Sequence, residues 1–426
     1  MNRRFALLLG LGALLLGRSA IAQQEVTIGY QGLPYKSTGE TNTGIQLSDG
    51  VLLHAGIGVE GGYDTNVFYA ATNPQGSSII RVMPYAELTN ATRTGAASRE
   101  LTFDVRGGLE YRHYGSSDSN VQAYSDAWMP NGGVSLNLGG GALSFGIADI
   151  FARIEDPPYQ SQFANAAGMV PLIIRNNNQA SAEVRWLPGG GRLVGTLRLT
   201  NMIDYYTGTY AYANAMTNTL MLDVSWKWLP KTAAFVNVQQ GFIDYLNDLN
   251  PNKVASYPLH ATIGLRGLLT EKTSAVLSVG YANAFYSEGE STSGFWGSTF
   301  AELAFTLRPT QLSRFVVGAR HDFLNAVISN FAYEDAVYVS WVQQLAGRLA
   351  LDLSGRYAHL SYQGNLVDPT QPGRVDNFFQ AGATLDYFMR NWVYVGVGYS
   401  LLDNRSNYPT NDYLKQQVFA RLGVTY

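Results

Sequence analysis

The sequence predicts an all-β protein, a single closed antiparallel transmembrane β-barrel of about 18 strands (16 is the alternative count) with both termini on the periplasmic side. Three observations carry this. The chain opens on an export-type segment and afterwards holds no apolar run long enough for a membrane helix. Long stretches alternate apolar and polar residues. Short and long turn-forming connections alternate between those stretches.

The N-terminus comes first. Met1 and Asn2 with Arg3 and Arg4 form a basic start, residues 5–16 a Leu-rich apolar run, and Ala20-Ile21-Ala22 a small-residue cleavage pattern that leaves Gln23 leading. The run is shorter than the ~20 residues a spanning helix needs, and a lipobox is excluded because the chain has no Cys. Residues 1–22 are therefore expected to be a signal peptide. Residues 23–49, polar and rich in Gly, Thr, Ser and Gln, read as a periplasmic lead-in too short for the folded plug of siderophore-type transporters, and residues 50–426 as the barrel.

Composition agrees with strands rather than helices in the membrane. The chain has 45 Gly, 27 Tyr, 19 Phe and 7 Trp with 14% charged residues, and its mean hydropathy is −0.07. A barrel averages out this way because lipid-facing and lumen-facing residues alternate, while aromatics gather at the two interfaces. The 29 basic residues face 32 acidic ones, and loss of Arg3, Arg4 and Arg18 with the leader makes the mature chain more acidic still. That argues against nucleic acid as a partner. Without Cys there is neither a disulfide framework nor a Cys-ligated metal, and no cofactor is expected.

Periodicity assigns the strands. From Leu101 to Arg112 one parity reads Leu101, Phe103, Val105, Gly107, Leu109, Tyr111 and the other Thr102, Asp104, Arg106, Gly108, Glu110, Arg112. A helix would set Asp104 and Arg106 about 200° apart and mix the two sets. The period recurs at Leu220, Leu222, Val224, Trp226 and Trp228 against Asp223, Ser225 and Lys227, and at Leu349, Leu351, Leu353 and Tyr357 against Arg348, Asp352, Ser354 and Arg356.

Tight turns are expected at residues 139–141, 188–191, 230–231, 270–272, 309–311, 346–347 and 390–391, with a looser one over 92–97. Longer connections are expected at 64–76, 115–121, 156–174, 207–215, 247–255, 288–295, 325–330, 364–373 and 404–412. Eight short and nine long connections join 18 strands, an even number that leaves both ends on the short-turn side. The segment from Phe145 to Ile154 breaks the alternation, and a bulge there would lower the count to 16. At the C-terminus, Val418, Ala420, Leu422, Val424 and Tyr426 are apolar on one parity and end on an aromatic. They resemble the terminal signature that barrel-assembly machinery reads in outer-membrane proteins.

The polar parity supplies the expected lumen lining. Its basic members are Arg81, Arg106, Arg112, Arg185, Arg198, Lys227, Arg266, Arg308, Arg320, Arg356 and Arg421. Its acidic members are Asp104, Glu110, Glu183, Asp223, Glu302, Asp352 and Asp386, with Glu87, Asp204 and Asp322 beside them. The signs nearly balance, so no strong single-sign field and no strong ion selectivity is expected. Taken singly, each of these charges reads equally as a wall-to-wall pair that holds neighbouring strands in register. Together they call for a wet interior, since burying them dry costs several kcal/mol apiece.

Aromatics crowd the long connections: Tyr159 and Phe163, then Tyr205, Tyr206, Tyr210 and Tyr212. They suit stacking on sugar faces, and Tyr205 and Tyr206 suit an outer girdle still better. Met169, Val170, Pro171 and Leu172 give the 156–174 loop enough apolar content to fold into the lumen as a constriction. Enzyme signatures are missing. His54, His113, His260, His321 and His359 show no metal-ligand spacing, and His321 beside Asp322 is no dyad because strand neighbours face opposite ways.

The first strand and turn, Val59-Glu60-Gly61-Gly62-Tyr63-Asp64-Thr65-Asn66-Val67-Phe68, resembles the start of an outer-membrane β-barrel porin family often linked to exopolysaccharide loci, with Tyr63, Asp64, Asn66 and Phe68 carrying the likeness. Asp64 and Asn66 also suit a turn for local reasons. The resemblance implies an 18-stranded barrel that exports polymer with a periplasmic polysaccharide-export protein as partner. The residues by themselves leave a general diffusion porin, or a structural or adhesive barrel, equally open. Outer-membrane lipid is the expected surroundings in every case.

Overall fold

A computed structural model describes residues 44–48, 50–90, 101–155, 173–247, 249, 253–287, 297–345, 347–363 and 373–426. They form one antiparallel sheet of 19 strands. In chain order these are β1 Ile45–Ser48, β2 Val51–Asp64, β3 Ser77–Thr89, β4 Leu101–Tyr114, β5 Ala127–Gly140, β6 Leu143–Ile154, β7 Arg175–Trp186, β8 Leu193–Tyr206, β9 Ala215–Leu229, β10 Thr232–Tyr245, β11 Leu259–Leu268, β12 Thr273–Asn283, β13 Thr299–Leu307, β14 Ser313–Asn325, β15 Phe331–Leu345, β16 Leu349–Gln363, β17 Val375–Arg390, β18 Val393–Ser406 and β19 Tyr413–Thr425.

Each strand from β2 onward pairs with the next, and β19 returns to pair with β2 from Gln417 opposite Asp64 down to Thr425 opposite Gly56. Eighteen strands therefore close on themselves, the count the turn pattern predicts. Closure removes the edges whose unpaired amides a bilayer cannot hydrate. The four residues of β1 lie on β2 just past the end of β19, Ile45 opposite Leu53, and Tyr426 exchanges both backbone hydrogen bonds with Ala55 there. Short turns, the start of β2 and the end of β19 share one rim, long loops the other. The expected turn over 92–97 lies outside the described residues.

Alternation sorts the side chains. Leu220 and Leu222 are 42% and 45% exposed on the outer wall, while Met221 between them and Asp223 after them are 5% and 4% exposed on the inner one. Outward Trp186, Trp226, Trp228, Trp341 and Trp392 ring the short-turn rim, and outward Tyr63, Trp128, Tyr205 and Tyr281 ring the long-loop rim. Two aromatic girdles bounding an aliphatic belt are what a membrane barrel presents to lipid. Val418, Leu422 and Tyr426 stand in that belt, with Val424 half-buried on the same parity.

The alternation does not slip within β6. Its register runs without a bulge against β5 from Ala152 to Leu143 and against β7 throughout. Polar Asp149 and Arg153 take outward positions instead, and Ile150 and Ile154 inward ones, so polarity misled where geometry stayed regular. The count of 16 is thereby removed.

Across β18, Arg421 on β19 reaches Asp386 on β17, donating from Nε to Oδ1 at 2.6 Å. Gly396 stands in register with both, and a Cβ there would fall 2.0 Å from Asp386 Oδ1. Glycine is thus what lets an ion pair span three strands. Gly396→Ala is expected to cost about 1–3 kcal/mol by overpacking, read as a lower urea midpoint for the barrel refolded in lipid; an unchanged midpoint contradicts this.

Candidate functional site

The lumen wall carries the charges that the polar parity points to, and most of them meet a partner across the wall. Arg81 on β3 lies 3.3 Å from Glu60 and 3.5 Å from Glu110. Glu183 pairs with Arg198, its register partner on the next strand. Arg266 donates to Asp223 at 2.6 Å over the intervening β10, and its guanidinium lies 4.6 Å from the Phe235 ring centroid. Arg320 pairs with Asp322, which also meets His260 Nε2 at 2.8 Å. Arg356 pairs with Glu334. Arg112, almost wholly buried, donates to the Glu155 carbonyl at 2.9 Å.

The remaining candidates differ. Arg106, Arg185 and Lys227 face inward towards the short-turn rim and make no ion pair among the described residues; Arg106 is exposed. Glu302 lies 3.5 Å from the Tyr338 hydroxyl, Asp104 lies inward on β4, and Asp352 sits in the field of Asp386, Arg421 and Arg314. The interior is therefore wet and cationic in places near the short-turn end. Deeper in, a cavity of about 310 Å³ is bordered by Arg198, Asp223, Arg266, Glu302, Arg320 and Asp322.

At the long-loop mouth one connection turns inward. Residues 325–331, between β14 and β15, turn into the lumen, with Ala326, Val327, Ile328, Ser329, Asn330 and Phe331 all buried. Ala326 and Ile328 pack with Tyr69, Leu360, Tyr362, Phe378 and Tyr413. Val327 packs on the other side with Ile173, Tyr206, Tyr210 and Ala213. One short loop thus joins apolar groups from both halves of the mouth. Burial pushes the Tyr212 hydroxyl beside it above its ordinary pKa, with Tyr210 adding to the shift.

A lysine holds this segment down. Lys253, in the loop between β10 and β11, is 8% exposed. Its Nζ donates to the carbonyls of Ala326 and Ser329, the latter at 2.7 Å, and lies 5.0 Å from the Tyr245 ring centroid. The Tyr245 hydroxyl donates to Asn325 Oδ1 at 3.0 Å, and Val254 N–H to Asn330 Oδ1 at 3.2 Å. Carbonyls around an ammonium replace the hydration it loses on burial.

The Tyr63–Phe68 stretch forms a clasp over the barrel seam. Asp64 is fully buried, and Lys415 of β19 meets its Oδ2 at 2.8 Å while Gln417 donates to the same oxygen at 2.8 Å. Asp64 Oδ1 accepts from Asn66 N–H at 2.9 Å, and the Asn66 amide donates to the carbonyls of Ala70 and Leu414. Phe68 packs beneath with Val67, Ile79, Tyr114 and Val121, while Tyr63 is 52% exposed on the girdle. These residues tie the first strand to the last.

Placement departs from expectation at several positions. Tyr205 takes the girdle position, but Tyr206, its neighbour on a strand, points inward and is 5% exposed. Residues 156–172, including Tyr159 and Phe163, lie outside the described residues. Of that loop, Ile173 is buried in the mouth, where it packs in one cluster with Val327 of the inward segment 325–331. Its apolar run Ala326-Val327-Ile328 inside a short connection was the available signal. Lys253 and Glu60 left none beyond being lone charges. His321 and Asp322 diverge as expected, His321 meeting Asp335 at 2.7 Å and Asp322 facing the lumen. No metal-binding group of His, Asp or Glu occurs among the described residues.

Residues 213–426 match the model of a family described as "Putative beta-barrel porin 2". No curated protein matches the chain. Among solved structures, the outer membrane protein opdK from Pseudomonas aeruginosa is similar at 10% identity with a TM-score of 0.45, over 88% of this chain and 99% of that one. OccAB4 from Acinetobacter baumannii is similar at 11% identity and 0.43, over 88% and 98%. A mutant of the ferric enterobactin receptor PfeA from Pseudomonas aeruginosa is similar at 9% and 0.44, over 88% and 80%. Likenesses of this depth say nothing about cargo.

Removing one partner from a buried ion pair leaves the other charge uncompensated, which costs about 3–5 kcal/mol. Asp64→Ala should therefore lower the unfolding free energy by that order, and adding Lys415→Met should recover part of it. Urea titration in lipid measures both; an Asp64→Ala barrel as stable as the parent would contradict the clasp.

Proposed function

The chain belongs to the beta-barrel porin 2 family, and from that membership and the barrel's geometry we propose that it is a gated passage for hydrophilic solutes across the outer membrane. The observation that carries the reading is the asymmetry of the lumen. Arg106, Arg185 and Lys227 face inward towards the short-turn rim, whereas residues 325–331 crowd the opposite mouth under Lys253. A wall of balanced charges passes polar solutes without selecting one sign strongly, and residues 325–331 are the segment whose withdrawal from Lys253 and the flanking clusters widens the mouth. The signal peptide over residues 1–22, the lead-in over 23–49, the periplasmic placement of the short-turn rim, and recognition of Val418, Leu422, Val424 and Tyr426 by assembly machinery belong to the same proposal.

Export of an exopolysaccharide with a periplasmic export protein is the second reading. It is favoured by rings spread along the path, with Phe235 beneath Arg266 and Phe300 beneath Arg320, because flat apolar faces beside charges offer a sugar chain many weak contacts. The clasp role of Asp64 and Asn66 lends this reading no support, since it accounts for those residues by the seam alone.

In planar bilayers the parent protein is expected to pass little current, and Lys253→Ala combined with Asn330→Ala to raise conductance several-fold. Equal conductance would overturn the gate. In cells, loss of secreted polymer on deletion favours export and slowed uptake of small hydrophilic solutes favours diffusion. A deletion that alters neither would overturn passage altogether.

A further inference from the structure

The outer wall is not apolar all round. On β6 to β9 the outward positions Asp149, Ala180, Asn201 and Asn218 stand opposite one another in a single register row. Asn178 donates to Asp149 Oδ1 at 3.0 Å, and Asn201 to Asn218 Oδ1 at 2.8 Å. Gln240 on β10 takes the next outward position diagonal to Asn218. With Asn178 on β7 standing diagonal to Asp149 and Asn201 beside Ala180, each of the five strands presents a polar outward group here.

Its height decides its meaning. Below it stand exposed Ile147, Leu199, Leu220 and Val238; above it stand exposed Phe151, Ile203, Tyr205 and Phe242. On the far wall another outward row, His321, Asp335, His359, Asn377 and Arg405, also runs in register across β14 to β18. No exposed large apolar side chain stands above that second row on those strands. The far row is the upper border of the belt, where headgroups begin, whereas the amide row has exposed apolar side chains above it on β6, β8 and β10 and below it on β6, β8, β9 and β10, and so lies inside the belt.

Lipid tails cannot satisfy what this row offers. Asn201 Oδ1 and Asn218 Nδ2 have no hydrogen bond among the described residues, and Asp149 is an exposed carboxylate in the same register row. Polar side chains at membrane depth are held where protein, not hydrocarbon, covers them. We infer that the β6–β10 wall is the contact surface for a second copy of this chain. Side-chain amides donate and accept at once, so a row of them is complementary to itself across a two-fold axis, as an isologous interface requires. Small outward Ala180 and Ala182 on β7 and Gly195 on β8 let two walls approach closely. A partner recognised through charge would need groups of one sign, and the polar groups here are amides with a single carboxylate.

The chain has no Cys, so single-Cys variants report cleanly. Asn201→Cys in native outer membranes under mild oxidation is expected to give a covalent species of twice the chain mass, while Val397→Cys on the opposite wall stays monomeric. Heat-shifted migration on gels confirms that both variants are folded. Native mass spectrometry in mild detergent is expected to show dimer for the parent and mostly monomer for Asn201→Leu with Asn218→Leu. A monomeric Asn201→Cys, equal cross-linking at both sites, a cross-link to a chain of another mass, or a parent that is monomeric in the membrane overturns the inference.

Discussion

A bilayer offers no water to an unpaired amide, and that single constraint organises the molecule. It forces the sheet to close, and closure makes the seam between β19 and β2 the place where the whole ladder is won or lost. The chain reinforces that place at several levels. Tyr426 and Ala55 finish the ladder at one rim, β1 extends it past the terminus, and the Asp64–Lys415 pair with the Asn66 side chain fastens the other rim. Each lies at an end of the seam, where strands fray first.

The same constraint sets the side-chain chemistry. Outside, the belt between two aromatic girdles needs only apolar area. Inside, charges must be paired or wet, and both solutions appear at different heights. Near the long loops the inward groups are packed or bound, as with Arg112, Asp64 and Asp322; near the short turns Arg106 and Lys227 stand without ion partners among the described residues. Most pairs join neighbouring strands, and a few, Arg266–Asp223 and Arg421–Asp386 among them, reach over an intervening strand and so couple register over longer arcs than backbone bonding does. Gly396 shows how closely that coupling depends on side-chain size.

Much of this was legible in one dimension because the β period is two and barrel connections alternate in length. Strand number, wall parity and the inward charges follow from those local regularities. The mouth does not. Residues 325–331 read as one more loop, since their burial is decided by Lys253, Tyr362 and Tyr210, which lie far away in sequence. The Phe145–Ile154 stretch failed for the opposite reason: polarity was taken as a guide to facing, and Asp149 faces out where polarity says in. Tyr206 failed because two adjacent strand residues cannot share a girdle.

The claim beneath all of this is that the wall separates lipid outside from water inside. In lipid vesicles, a water-soluble thiol reagent should label Arg106→Cys, on the inward parity, and leave Leu222→Cys, on the outward parity, to a lipid-soluble reagent. The reverse pattern, or equal labelling of both by the water-soluble reagent, would contradict the account.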